Sequence, residues 1–223
     1  MMKKFIYMVA SLAFLTACHS TATTETTQTT AATEQTTAAI KQSNGEADLS
    51  LGIQMVVNKK HKLPADYNPG ENPIAGEKVR KLIQKMQELG FSISNQYSGF
   101  RSYEYQTQLY QNYVNKDGKE AADTYSARPG YSEHQTGLAF DILNESGRLL
   151  GENPQDEKAI EWLHSHAHEY GFIVRFQEGK EAITGYQAEA WHLRYMGDIA
   201  EQIYTSKQTL EEYIGVEGGN YAD

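Results

Sequence analysis

The sequence predicts an α+β domain. Helical and strand-like segments do not alternate regularly, which disfavours a doubly wound sheet. A folded composition begins near residue 51 and runs for roughly 170 residues, the size of one core. No internal repeat divides that stretch. Taken in order, residues 53–57 (IQMVV) read as a strand. Residues 62–73 form a loop rich in Pro, Gly and Asn. Val79, Leu82, Ile83, Met86 and Leu89 keep a helical period over residues 74–89, and Gly90 stops it. Residues 91–97 are strand-like. Residues 102–115 read as a helix, with Tyr105, Leu109 and Tyr113 spaced by four. Residues 121–131 read as an irregular loop. Leu138, Phe140 and Ile142 alternate with Ala139 and Asp141, a strand with Asp141 on the opposite face. A helix over 157–170 ends at Gly171, and 172–176 is a strand. Short helices cover 199–204 and 210–213.

The N-terminal segment has a different character. Lys3 and Lys4 precede a mostly apolar run, FIYMVASLAF, which leads to Leu15-Thr16-Ala17-Cys18. A basic start, a short apolar run and small residues make a secretory signal. The run is shorter than the about 20 residues that a membrane-spanning helix needs. The segment resembles the signal of bacterial lipoproteins. That resemblance implies cleavage before Cys18 and lipidation of its thiol, with the two acyl chains that stable anchoring requires. The expected organisation is a signal peptide at 1–17, a lipidated Cys18 with a Thr-rich tether over 18–50, and a folded domain at 51–223. The tether has almost no large apolar residue to repay its ordering entropy. It would span about 30 Å on average. The expected location is the outer face of the cell membrane of a Gram-positive bacterium.

Composition narrows the chemistry. A net charge of −9 argues against nucleic-acid binding, which needs a basic face. The single cysteine excludes an internal disulfide framework and any cysteine-cluster metal site. There is no Ser-x-x-Lys and no Gly-x-Ser-x-Gly, so a covalent serine mechanism has no support.

Two segments carry candidate chemistry: SEHQTGLAFD at 132–141 and EAWH at 189–192. His134 and Asp141 suit zinc, and Gly137 permits the turn that would let them converge. His192 could supply a third ligand, leaving one position open for water, as in catalytic zinc sites. Glu189 lies three residues earlier, a spacing that places both on one side of a helical turn. The same residues are also compatible with separate polar positions in a loop and a strand.

These segments resemble the S-x-H-x-x-G-x-A-x-D and E-x-W-H motifs of VanY-type zinc carboxypeptidases. The resemblance extends through SGFRSYEYQ at 98–106 and SARPGY at 126–131, and covers the folded part from about residue 58. Within that family the chain is most similar to streptococcal L,D-carboxypeptidase lipoproteins. The resemblance implies a small antiparallel or mixed sheet flanked by helices, with one zinc ion in a groove above it. It implies His134, Asp141 and His192 as ligands and Glu189 as the catalytic base. Arg101 and Gln106 would hold the substrate's terminal carboxylate, and Ser132 would contact substrate. The implied substrate is a peptidoglycan stem peptide losing its terminal D-Ala, at L-Lys–D-Ala of a tetrapeptide or at D-Ala–D-Ala of a pentapeptide. The expected enzyme is a monomer. A wall-binding lipoprotein with a dead site would have lost Glu189 or a ligand, and all are present.

Other polar residues have simpler readings. His164, His166 and His168 fit a solvated helix face with His166 turned inward. Asp123 and Glu133 fit loop anchors, with Glu133 placed to support its neighbour His134. Tyr103 and Trp191 fit packing positions.

Overall fold

The computed structural model describes residues 45–222, so the expected signal peptide, Cys18 and most of the expected tether lie outside the described residues. Its architecture is α+β. Four strands, β1 (Ile93–Ser98), β2 (Ala139–Asn144), β3 (Phe172–Phe176) and β4 (Glu189–Tyr195), form one sheet in the order β1-β2-β4-β3. Every pairing is antiparallel.

One face of the sheet buries the main core. Phe140 and Ile142 of β2, Phe172 of β3 and Leu193 of β4 pack with Val79, Leu82, Ile83 and Met86 of α1 (Pro73–Glu88) and Leu163 of α4 (Glu157–His166). The helical period over 74–89 is thus a buried stripe. Asn72 caps α1 by accepting the N–H groups of Ile74 and Ala75, and Pro73 fits the first turn, where its missing N–H costs nothing. The other side of β2 and β4 carries Asp141 and His192 into a cleft, as the alternation in β2 requires.

Several elements depart from the sequence expectations. Residues 53–57 are not a strand. A 3-10 segment, Leu49–Gln54, precedes an extended stretch whose Met55, Val56 and Val57 are buried in two small clusters beside the main core. The carbonyls of Ile53 and Met55 accept from the Arg194 guanidinium instead of a neighbouring strand. Folded structure also begins earlier than residue 51. Glu46 bridges to Lys62, and Ala47 is buried. The presumed loop at 121–131 begins as a helix. Gly118, at φ 84°, separates α2 (Tyr103–Asp117) from α3 (Lys119–Tyr125), and seven residues are too few to display a period. The helix expected over 157–170 ends at His166 and tightens into a 3-10 turn before Gly171. A short α5 (Glu181–Thr184) leads toward β4, and α6 (Ala200–Ser206) and α7 (Leu210–Ile214) close the chain.

Candidate active site

Three elements bring the predicted ligands together. Asp141 on β2 and His192 on β4 are direct cross-strand partners, so their side chains rise from the same face. His134 comes from a 3-10 turn, Glu133–Thr136, that ends at Gly137 with φ 72°. A side chain at Gly137 would strike the carbonyl of Gly70, so this turn needs glycine for space as well as for conformation.

The ligand atoms face one another. Asp141 Oδ1 lies 3.2 Å from His134 Nε2 and 3.2 Å from His192 Nδ1. One ligand atom from each of the three residues falls within 4.8 Å of the others, and all three residues are buried. The outer nitrogens are occupied. His134 Nδ1 is 2.7 Å from the Gly99 carbonyl, and His192 Nε2 is 3.2 Å from Glu133 Oε2. With its outer nitrogen donating to these acceptors, each imidazole can offer its inner nitrogen to a metal. Asp141 Oδ1 is buried and accepts no well-aligned hydrogen bond among the described residues. Two inward imidazole nitrogens around a buried carboxylate oxygen suit a divalent metal, which would displace any proton on them, and two nitrogens with one oxygen suit zinc.

Glu189 is beside them, with Oε2 at 3.5 Å from His192 Nδ1. The expected helical turn is absent, because Glu189 opens strand β4. A regular strand would send residues 189 and 192 to opposite faces. The β3–β4 pairing slips between Val174↔Leu193 and Phe176↔Glu189, and this irregularity lets the two side chains meet.

Electrostatics divide these groups. Burial raises the Glu189 pKa to about 7 against the pull of His192, with Asp141 adding to the rise. Burial would lower His192, but its contacts with Asp141 and Glu133 win and raise it to about 9 in the metal-free protein. Burial lowers His134, and Arg101 adds to that. Burial opposes ionisation of Asp141, yet the two histidines hold its pKa well below the usual carboxylate value.

The cleft encloses about 290 Å³, and its walls include Arg101, Gln106, Ser132 and Trp191. Arg101 Nη2 donates to Asp141 Oδ2 at 2.6 Å and to Ser98 Oγ at 2.9 Å. Gln106 donates through Nε2 to the Ala127 carbonyl at 2.7 Å, and its Oε1 is buried without a partner. Ser132 opens the 3-10 turn without capping it.

The VanY model, D-alanyl-D-alanine carboxypeptidase, matches residues 68–198, a span that contains every one of these side chains. The chain belongs to the VanY family. Among its relatives, a putative carboxypeptidase, YodJ, of Bacillus subtilis is 34% identical over 73% of this chain and 67% of its own length. The solved L,D-carboxypeptidase DacB of Streptococcus pneumoniae is 61% identical, with a TM-score of 0.72, over 75% of this chain and 89% of that one. The D,D-pentapeptidase VanY of a VanB-type resistance cassette, solved in complex with Zn(II), is 30% identical, with a TM-score of 0.61, over 72% and 98%.

This VanY-family chain holds one feature that the sequence reading undervalued. Glu133 anchors a buried ion network. Its Oε1 accepts from Arg175 Nε at 2.8 Å and from Arg194 Nη1 at 2.9 Å. Arg175 in turn pairs with Glu211 through two nitrogens, at 2.9 and 2.5 Å. The signal was an arginine inside each apolar strand, FIVRF and EAWHLRY, because a buried charge needs a partner. The histidine cluster gives no second metal site. His166 stacks on Trp162 at 4.5 Å, His168 stacks on Tyr204 at 3.9 Å, and His164 contacts the Ala190 carbonyl. Asp123 is an anchor, as expected, pairing with Arg128 and Tyr110.

Proposed function

We propose that the chain is a zinc-dependent carboxypeptidase that removes the terminal D-Ala from peptidoglycan stem peptides, cutting L-Lys–D-Ala of a tetrapeptide. The observation that carries this reading is the convergence, in one cleft, of an inward-facing His134–Asp141–His192 donor set, a buried Glu189 3.5 Å from His192, and Arg101. His134 Nε2, Asp141 and His192 Nδ1 would hold the metal. Zinc, when bound, supplies Lewis acidity and lowers the pKa of water from 15.7 to about 7.

Glu189 then acts as the proton carrier. A carboxylate beside the metal ligands can accept a proton from the attacking water and return it to the leaving amine. Arg101 sets the exopeptidase character. One of its nitrogens is used by Asp141 and Ser98, and the rest of the guanidinium carries no other hydrogen bond among the described residues. That remainder can pair with a free carboxylate, which a peptide has at its end and not along its backbone. Gln106 keeps a second Nε2 hydrogen for the same carboxylate, and Ser132 lies within reach of the peptide.

Identity of 61% to an L,D-carboxypeptidase, against 30% to a D,D-pentapeptidase, supports the tetrapeptide substrate. The family description and an Enterococcus faecalis D-alanyl-D-alanine carboxypeptidase at 31% identity favour the pentapeptide as the second reading. Synthetic tetra- and pentapeptides digested side by side, with mass detection of released D-Ala, decide between them. Release from the tetrapeptide supports the first reading, and release from the pentapeptide alone replaces it.

The lipid anchor belongs to the same proposal. Cys18 would carry the acyl chains and the protein would work as a monomer on the outer membrane face. Incorporation of a fatty-acid probe that survives Cys18→Ala would overturn the anchor, and a dimer mass by light scattering would overturn the monomer.

A further inference from the structure

One wall of the cleft has little hold on the core. Gln106, Leu109 and Tyr113 of α2 and Tyr125 of α3 line it. Among the described residues, none between 103 and 125 belongs to the three buried apolar clusters. The two helices bond to each other instead. Tyr110 donates to Asp123 Oδ1 at 2.7 Å, and Tyr125 donates to Asp117 Oδ2 at 2.6 Å. The Tyr113 and Tyr125 rings meet edge to face at 5.1 Å. An element with few buried apolar contacts is cheap to displace. The position of this hairpin therefore depends on discrete ties to the body.

Lys59 supplies such a tie. It is 4% exposed. Its Nζ donates to the Asp123 carbonyl of α3 at 2.6 Å and to the Gly185 carbonyl at the end of α5. Tyr186, Gln187 and Glu189 follow Gly185 and line the cleft. One ammonium thus joins the hairpin to the segment that carries the proposed base. The Tyr186 ring centroid lies 4.4 Å from the same nitrogen and that of Tyr221 lies 5.2 Å away. Tyr221 adds a second tie. Its hydroxyl accepts the Arg128 N–H at 2.9 Å, just past α3, and its ring covers the Arg128 guanidinium at 3.8 Å.

The turn that presents Lys59 is itself fixed. Asn58 Oδ1 accepts the N–H groups of Lys60 and His61. Asn58 Nδ2 donates to Glu211 Oε1 and to the Glu217 carbonyl, each at 3.1 Å. Glu211 belongs to the buried ion network behind His192. The lysine is anchored to the scaffold on one side and holds the hairpin on the other. Burying an ammonium is costly, and a methionine would fill the same space. The charge is kept for what it bonds.

We propose that Lys59 is a positioning residue for the reaction, fixing the α2–α3 hairpin against the α5–β4 segment and so setting the width of the cleft. The inference rests on the carboxypeptidase reading above. Lys59 is not among the residues that line the cleft, so it acts through those that do.

The test compares zinc-loaded wild type with Lys59→Met, which keeps the apolar stem and removes the ammonium. Hydrogen exchange of the amides at 119–125 should quicken by at least about tenfold, while those of β2 and β4 keep their wild-type rates. KM for a D-Ala-terminated stem peptide should rise about tenfold, the range for hydrogen bonds to a charged group. Turnover should stay within about twofold, because the zinc ligands and Glu189 keep their places. Zinc content should be unchanged.

Tyr221→Phe leaves every buried charge in place. It should move exchange and KM in the same direction by a smaller factor, and it carries the test if Lys59→Met does not fold. Unchanged exchange and KM, or exchange quickened equally across the sheet, overturns the role of Lys59. A wild type that releases no D-Ala from tetra- or pentapeptide removes the carboxypeptidase reading. The exchange comparison, which needs no substrate, then still decides whether Lys59 holds the hairpin.

Discussion

Two clusters of buried charge meet at His192, and they differ in one respect. Behind the histidine, the Glu133 and Glu211 carboxylates are met by Arg175 and Arg194 through short bonds, with Arg194 Nε left without a partner among the described residues. In front of it, Asp141 Oδ1 and Gln106 Oε1 are buried with unmet capacity. Desolvating an ion is costly in both places. The rear cluster offsets that cost with protein partners, so its role is to hold position. The front cluster does not, so its partners come from outside the chain. Whether protein donors meet the buried carboxylate oxygens, more than burial or charge, separates the two clusters.

Variants on the two sides should therefore fail in different ways. The largest effect belongs to the front. Glu189→Ala should lose at least about 100-fold in turnover, the scale of general base catalysis, while zinc content stays at the wild-type level. A zinc-loaded Glu189→Ala enzyme with full activity would remove the distinction, since the residue would then be only a support.

On the rear side, Glu133→Gln leaves Arg175 with Glu211 alone and Arg194 with no carboxylate partner. Breaking a buried network of this kind costs about 3–5 kcal/mol, and chemical denaturation should show that loss. Zinc affinity should also fall, because His192 Nε2 loses the acceptor that orients the ring. Unchanged stability would mean that the rear cluster is not the scaffold.

Arg101→Ala should act more mildly, raising KM by about tenfold and weakening the preference for a free C-terminus. Free and amidated peptides cleaved in the wild-type ratio would exclude a carboxylate clamp.

The smallest effect is on pH. In the metal-free protein the Glu189 pKa is raised from 4.5 to about 7. A group raised on folding contributes stability that is complete below its unfolded pKa and is lost as pH rises through the folded one. Glu189→Gln does not titrate, so its stability relative to metal-free wild type should grow between pH 4.5 and about 7. Parallel curves for the two proteins across that window would show that burial does not strain Glu189.

The front cluster was the more legible of the two in the sequence. His134, Asp141, Glu189 and His192 sit in short spaced motifs, and the strand alternation around Phe140 and Ile142 placed Asp141 on the cleft side. The rear cluster joins residues 133, 175, 194 and 211, which no local pattern connects. The strand misread at 53–57 shows the limit of propensity. Its apolar residues are buried, but Arg194 took the carbonyls that a sheet would have used. The position of Glu189 was read correctly for the wrong local reason, because a slipped strand pairing does the work assigned to a helical turn.

Chelation followed by zinc return, with D-Ala release from a synthetic stem tetrapeptide as the readout, tests the central claim most directly. The front cluster as a metal-dependent active site predicts that release stops when zinc is removed and recovers with one zinc per chain. Release that continues undiminished in the metal-free protein, or that stays absent after zinc is restored, would contradict it.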